Sequence, residues 1–210
     1  MSNLPSPSSR GPLERFWRWL RKRAIRFWRW AFPSLARTET QILFERIVSL
    51  AKAAPSPPLV ARIAFVVPVF NTPPAYLDAL CAAMRRQRQG AWDLILSDDG
   101  STDPATRRWL DRHARAADMT ILRAPANRGI AVATNAGIDA ARSDWVAFHD
   151  HDDALAPHAV DRILDALARA PDCMFLYTDE VVADANLKPE HLFLKPAFDT
   201  VLLSGVNYVN

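Results

Sequence analysis

Residues 145–153 read WVAFHDHDD, four apolar residues running straight into a cluster of acids. Trp145, Val146, Ala147 and Phe148 predict a short buried strand. Asp150, Asp152 and Asp153, with His149 and His151 between them, predict a polar rim where it ends. Carboxylates this close raise one another's pKa, and a divalent cation relieves the repulsion. Oxygen ligands without thiolates suit a hard ion such as Mg2+ or Mn2+. Mg2+ uses one or two carboxylates and takes its other ligands from water and phosphate oxygens. The expectation is a metal-bridged diphosphate at the end of this strand.

Outward from this stretch the chain alternates between strand and helix. Upstream, Ile63–Val67 is a β-branched apolar run that stops at Pro68, and Pro73–Arg88 is helical with its prolines in the first turn. Trp92–Leu96 reads as a second strand, followed by a helix from Pro104 to about Ala116 capped by Asp103. Met119–Leu122 is a third strand and Arg128–Ala141 a helix. Downstream, Pro157–Ala170 is a helix and Cys173–Tyr177 a fifth strand. Continuous apolar strands alternating with helices predict an α/β fold, a mostly parallel sheet with helices on both faces. Ligands of such sheets sit at the carboxyl ends of the strands.

Three of these ends carry polar groups: Asn71 after the first strand, Asp98 and Asp99 after the second, and Asp150–Asp153 after the fourth. Gly100 lets SDDGSTD (97–103) turn with φ > 0. Asp98 and Asp99 are read as ligand contacts, since a carboxylate can accept the N3–H of a pyrimidine base or a ribose hydroxyl. A loop that only caps the following helix is the plainer alternative, and Asp103 is given that role. No Walker A sequence and no G-x-G-x-x-G is present, which again leaves the diphosphate to a metal. His149, His151 and His158 could surround zinc, but the strand end would have to turn all three onto one ion, so they are read as rim or packing residues. A D-x-D-x-T phosphatase is disfavoured, because Ala154 follows the acids and the motif comes after the fourth strand rather than the first.

The head of the chain differs in character. Residues 2–12 are rich in Ser, Pro and Gly, and 1–12 are read as a disordered tail. In the next stretch Leu13, Phe16, Trp17, Leu20, Ala24, Phe27, Trp28 and Ala31 form one apolar stripe, with Arg15, Arg18, Lys22, Arg26 and Arg29 on the other side. Tryptophan favours the headgroup region and Lys/Arg are drawn to anionic lipid, so residues 13–32 are read as an interfacial membrane anchor. A helix packing on the body or on a partner, or an arm stacking on nucleic acid, is the competing reading. Pro33 ends this helix, a second spans 38–53 with Thr38 as N-cap, and PSPP at 55–58 is a stiff linker. The expected organisation is therefore a tail (1–12), a basic helical segment (13–54), a linker (55–61) and a domain (62–210).

The totals agree with this division. Residues 1–60 carry eleven Lys/Arg against three Glu, a balance of +8, while residues 61–210 carry fifteen against twenty acids, a balance of −5. The basic pI belongs to the head, so no nucleic-acid partner is expected of the body. Cys81 and Cys173 are too few for a disulfide framework and read as small buried hydrophobes. No apolar run approaches the roughly 20 residues of a spanning helix, and arginines interrupt any secretory signal core.

With these residues in place, the chain resembles the family 2 glycosyltransferases and their Rossmann-like GT-A fold. The resemblance is carried by VVPVFN (66–71), SDDGSTD (97–103), NRGIAVATNAGIDAARSDWVAFHDHDD (127–153) and YTDE (177–180). It extends through FLKPAFDTVLLSGVNYV (193–209), similar to bacterial members acting on surface polysaccharide. The resemblance implies that Asp150 and Asp152 form a D-x-D motif binding Mn2+ or Mg2+ and, through it, the donor's phosphates. It implies that Asp99, with Asp98 beside it, contacts a uracil or thymine base, and that Pro68 and Val69 line the nucleotide pocket, with Asn71 a further nucleotide-sugar-binding residue. Asn127, Arg128, Gly129 and Asn135 would close over the nucleotide and sugar. The implied reaction moves a sugar with inversion from a UDP- or dTDP-sugar to a glycan or lipid-linked acceptor, in the cytoplasm at the inner face of the membrane.

Inverting transfer needs a general base. In the resembled family that acid lies beyond the KP…NY stretch, so here it is expected beyond Asn210, and residues 62–210 are read as the donor-binding part of a longer enzyme. Asp179 and Glu180 resemble acceptor-side contacts. The alternative is a module that binds nucleotide-sugar without turnover.

Overall fold

The computed structural model describes residues 38–88, 90–184 and 188–205; the tail and the basic segment 13–32 lie outside the described residues. In chain order the elements are α1 (Glu39–Ala53), β1 (Ile63–Val69), α2 (Pro74–Arg85), β2 (Trp92–Asp98), α3 (Pro104–His113), β3 (Thr120–Arg123), α4 (Ile130–Ala140), β4 (Trp145–Phe148), α5 (Ala159–Arg169), β5 (Glu180–Ala183), β6 (Pro189–Phe193) and α6 (Thr200–Gly205). Of the described residues, those of 45–178 form one compact unit, and those of 38–44, 179–184 and 188–205 cluster in a second.

The larger unit is built on a parallel sheet of order β3-β2-β1-β4. Side chains alternate across it, as strand geometry requires. Ile63, Phe65, Val67 and Val69 of β1 and Leu94 and Leu96 of β2 join Leu77, Leu80 and Met84 of α2, Trp109 and Leu110 of α3, and Val160 and Leu164 of α5 in one core. Ala64, Val66 and Ile95 point to the opposite face, which α4 covers. Gly137 makes that approach possible: a Cβ there would lie 2.4 Å from Val66 Cγ1.

β1 continues through Pro68 to Val69, beyond the predicted stop. The register explains why Pro68 is tolerated. Val66 accepts from His149 N on the β4 side and Val69 accepts from Asp99 N on the β2 side. Pro68 therefore turns its nitrogen toward β4, which has already ended at Phe148 opposite Val66, and no ladder donor is lost. The linker is also tied down: Pro57 O accepts from Arg88 Nη1 at 2.5 Å and Pro55 O from Arg162 Nη2 at 3.4 Å.

Two expectations are corrected. β4 lies at the sheet edge, so its residues are half-buried rather than buried, and Phe148 is 70% exposed. Cys173–Tyr177 is irregular rather than a fifth strand: among the described residues none pairs with the outer edge of β4, and Met174 is 90% exposed. Cys173 is accordingly half-buried, while Cys81 is buried as expected, its thiol pushed up to about 11 chiefly by desolvation.

In the smaller unit Thr38 and Gln41 form a capping box: Thr38 N donates to Gln41 Oε1 at 3.1 Å and Gln41 N to Thr38 Oγ1 at 3.2 Å. Gln41 Nε2 also donates to Pro189 O at 3.2 Å, joining the start of α1 to the antiparallel β5–β6 pair. The pair shifts register between Val182 and Ala183. The Asp199 carboxylate accepts from Val201 N and Leu202 N at the start of α6.

Candidate functional site

Because β1 to β4 are parallel, their carboxyl ends share one edge, and the polar residues singled out after β1, β2 and β4 emerge there. β2 delivers two acids into the interior. Asp98 and Asp99 are each 3% exposed. Asp98 Oδ1 accepts from Ser101 N at 3.0 Å, and Oδ2 pairs with Arg123 Nε at 3.2 Å. Asp99 Oδ1 accepts from Arg128 N at 2.8 Å and Oδ2 from Gly129 N at 2.7 Å. The pair thus has internal partners, and Asp99 joins the β2 end to the segment before α4.

The turn between them is narrow. Gly100 has φ 71°, and a Cβ there would lie 2.5 Å from the Ala126 carbonyl carbon, so only glycine lets the two backbones approach. Gly129 also has positive φ, 94°, at the start of α4. The Asn127 and Arg128 side chains are exposed at this edge, as is Asn135 in the second turn of α4.

β1 contributes Pro68, half-buried, and Val69, whose side chain is 1% exposed within the core while its carbonyl accepts from Asp99 N at 2.8 Å. Asn71 Oδ1 accepts from Thr102 N and Asp103 N, both at 2.8 Å. Asp103 caps α3 as expected, its Oδ2 accepting from Thr106 N at 2.8 Å. The backbone N–H of Thr106 is the main cause holding this carboxyl below its ordinary range.

After β4, Asp150, Asp152 and Asp153 are exposed, whereas His149 and His151 are half-buried. His149 Nδ1 lies 2.7 Å from Asp150 O and its ring stands edge-on to Phe65, which is a packing arrangement. His158 begins α5 with φ 63°. Among the described residues no three His, Cys, Asp or Glu groups converge as a closed metal cage. Asp150 and Asp152 offer two exposed carboxylates with hard oxygen donors, a set that fits an ion completing its shell with water and phosphate.

In the smaller unit, Asp179 Oδ1 accepts from Lys195 N at 2.8 Å, and Glu180 Oε1 pairs with Lys195 Nζ. Sequence reasoning did not single out Ser101, Thr102, Thr106, Arg123 or Lys195. The small hydroxyl residues around Gly100 were the available signal for the first three. Nothing local marks Arg123 or Lys195, whose partners are distant in sequence.

Residues 64–200 match the sequence model of the family described as Glycosyl transferase family 2. An uncharacterized protein of Sinorhizobium fredii, y4gI, is 34% identical over 82% of this chain. The O-antigen biosynthesis protein RfbC of Myxococcus xanthus is 36% identical over 70% of it. The dodecaprenyl-phosphate galacturonate synthase of Rhizobium johnstonii is 33% identical over 51% of it. The matched regions span 19%, 12% and 33% of those proteins' own lengths. Both the ordered strand-end motifs and the matched span lead to one conclusion: the chain belongs to glycosyl transferase family 2, with the parallel α/β sheet of the GT-A fold.

Proposed function

We propose that residues 62–210 bind the nucleotide-diphosphate-sugar donor of an inverting glycosyltransferase that builds a surface glycan or loads a lipid-linked acceptor. One observation carries the reading: the family match at 64–200 contains the sheet edge where Asp98, Asp99, the 127–129 segment and Asp150–Asp152 emerge together. The relatives' names, O-antigen biosynthesis and dodecaprenyl-phosphate galacturonate synthase, support the acceptor class.

Asp150 and Asp152 would hold Mn2+ or Mg2+. Bound there, the ion would supply positive charge for the leaving diphosphate. The chain's own part is positional. Asp99 orders the amides of Arg128 and Gly129, and the exposed Arg128 guanidinium and Asn127 side chain stand on that segment to meet phosphate or sugar. The base is taken as uracil or thymine, read against the Asp98–Asp99 end of β2.

Residues 13–32 would hold the protein on anionic lipid at the inner face of the membrane. Among the described residues no helix is long and apolar enough to cross a membrane. A second reading is binding without turnover: Asp179 and Glu180 are both engaged by Lys195, the first by its backbone N–H and the second by its ammonium group.

Titration calorimetry with UDP, dTDP and GDP, each with Mn2+ and with EDTA, tests the proposal. Manganese-dependent binding of UDP or dTDP is expected, reduced at least about tenfold in Asp152→Asn, the scale of one lost charge-assisted contact. Equal affinity with and without metal, or an unaffected Asp152→Asn, would remove the metal role.

A further inference from the structure

Asn71 has φ 51°, in the left-handed region that asparagine enters more readily than most residues. That backbone turn aims its amide group at one short stretch. Asn71 N donates to Ser101 Oγ at 2.8 Å. Its Oδ1 accepts from both Thr102 N and Asp103 N at 2.8 Å, and its Nδ2 donates to Thr102 Oγ1 at 3.3 Å. The same stretch is held from behind, where Thr106 Oγ1 donates to Thr72 O at 2.8 Å. Ser101 then passes the connection on, its N–H donating to Asp98 Oδ1. Asp99, the next residue, holds the amides of Arg128 and Gly129. A continuous set of hydrogen bonds and chain neighbours therefore runs from the β1 end, through the β2 end, to the start of α4.

We propose that Asn71 is a positioning residue of the donor site. It fixes the Ser101–Asp103 turn, and through that turn the Asp98–Asp99 pair and the 127–129 segment, and does not itself touch the nucleotide-sugar. This rests on the donor-binding reading and refines it. The position needs a left-handed backbone together with a short side-chain acceptor able to take two adjacent amide hydrogens, and this pair of needs explains the residue type. Aspartate meets both needs; glycine meets only the first.

Two variants and two readouts test the role. Asn71→Gly keeps the backbone conformation and removes the acceptor, and Asn71→Asp keeps both. Amide hydrogen exchange at Thr102 and Asp103 reports the tie. Calorimetric titration with UDP and Mn2+ reports the donor site. Wild type and both variants are titrated in about 1 M salt, where a screening length of about 3 Å keeps the added aspartate charge from acting on the diphosphate. Asn71→Gly should speed exchange at both amides and weaken UDP about tenfold, the scale of one lost hydrogen bond. Asn71→Asp should stay within about threefold of wild type on both readouts, a difference smaller than one such bond.

Loss of affinity in Asn71→Asp with Thr102 and Asp103 still protected would overturn the role, because the amide would then be contacting nucleotide directly. Unchanged affinity in Asn71→Gly, with or without faster exchange, would overturn it too. Failure of the wild-type protein to bind UDP, dTDP or GDP is a distinguishable result: it overturns the donor-binding reading, and this role with it.

Discussion

A buried carboxylate serving backbone amides sets the residue scale. Asp99 is 3% exposed and gives one oxygen to each of two consecutive amides, so Asp99→Asn leaves one of them facing a donor instead of an acceptor. An unsatisfied buried group of this kind costs about 1–3 kcal/mol. Urea unfolding should show a lower midpoint at unchanged slope; an unmoved midpoint would mean those amides find other partners. At the opposite strand ends, Asp93 is held below the usual carboxylate range, first by the hydrogen bond from Arg62 and further by Ser143. A depressed pKa contributes stability that is present above the unfolded value, about 3.9, and is lost as pH falls through the folded one. Both partners are more than a third exposed, so the effect is small. Asp93→Asn should lower stability slightly above about pH 4 and flatten the acid limb below it, where the wild type loses the same contribution and the two profiles converge. The acids at the strand ends were legible in the sequence, because an apolar run stopping at a carboxylate is a local pattern. Their partners were not, because Asp99 with Arg128, or Asp98 with Arg123, meet only once the sheet has formed.

At the scale of elements, all four strands of the parallel sheet were read from the sequence, the edge strands β3 and β4 as well as the central pair. β1 and β2 are the central strands, and there continuous apolar sequence and burial coincide. CMFLY at 173–177 has the same composition without a neighbouring strand, and periodicity alone cannot tell the two cases apart. The β5–β6 pair and α6 were missed for the opposite reason: HLF and TVLL are short runs with weak alternation, ordered by pairing and by the Asp199 cap. Gly137 shows the cost of packing two elements closely. Alanine would gain up to about 1 kcal/mol of helix propensity, but its methyl would sit 2.4 Å from the fully buried Val66 side chain. Overpacking of about 1–3 kcal/mol decides the sign, so Gly137→Ala should lower the thermal midpoint. A raised midpoint would show that α4 can lift off β1 without loss.

On the scale of the whole molecule, charge divides the chain into a basic head and an acidic remainder, and the family match falls in the remainder. The first 60 residues carry +8 and the rest −5, so vesicle binding, if it resides in 13–32, belongs to the basic part alone. Deleting 13–32 should release the protein from vesicles rich in anionic lipid while UDP affinity stays at the wild-type value; undiminished co-sedimentation would place membrane contact elsewhere. The family was legible because its motifs sit at strand ends in fixed order, and the match at 64–200 spans them. The general base was not, since no acid from Asp179 onward stands in a pattern that marks one. Diffraction at the manganese edge, from crystals grown with UDP and Mn2+, bears most directly on the metal-bridged diphosphate. An anomalous peak between the diphosphate and the carboxylates of Asp150 and Asp152 is the predicted result; diphosphate bound with manganese away from both aspartates, or nucleotide bound away from this sheet edge, would contradict it.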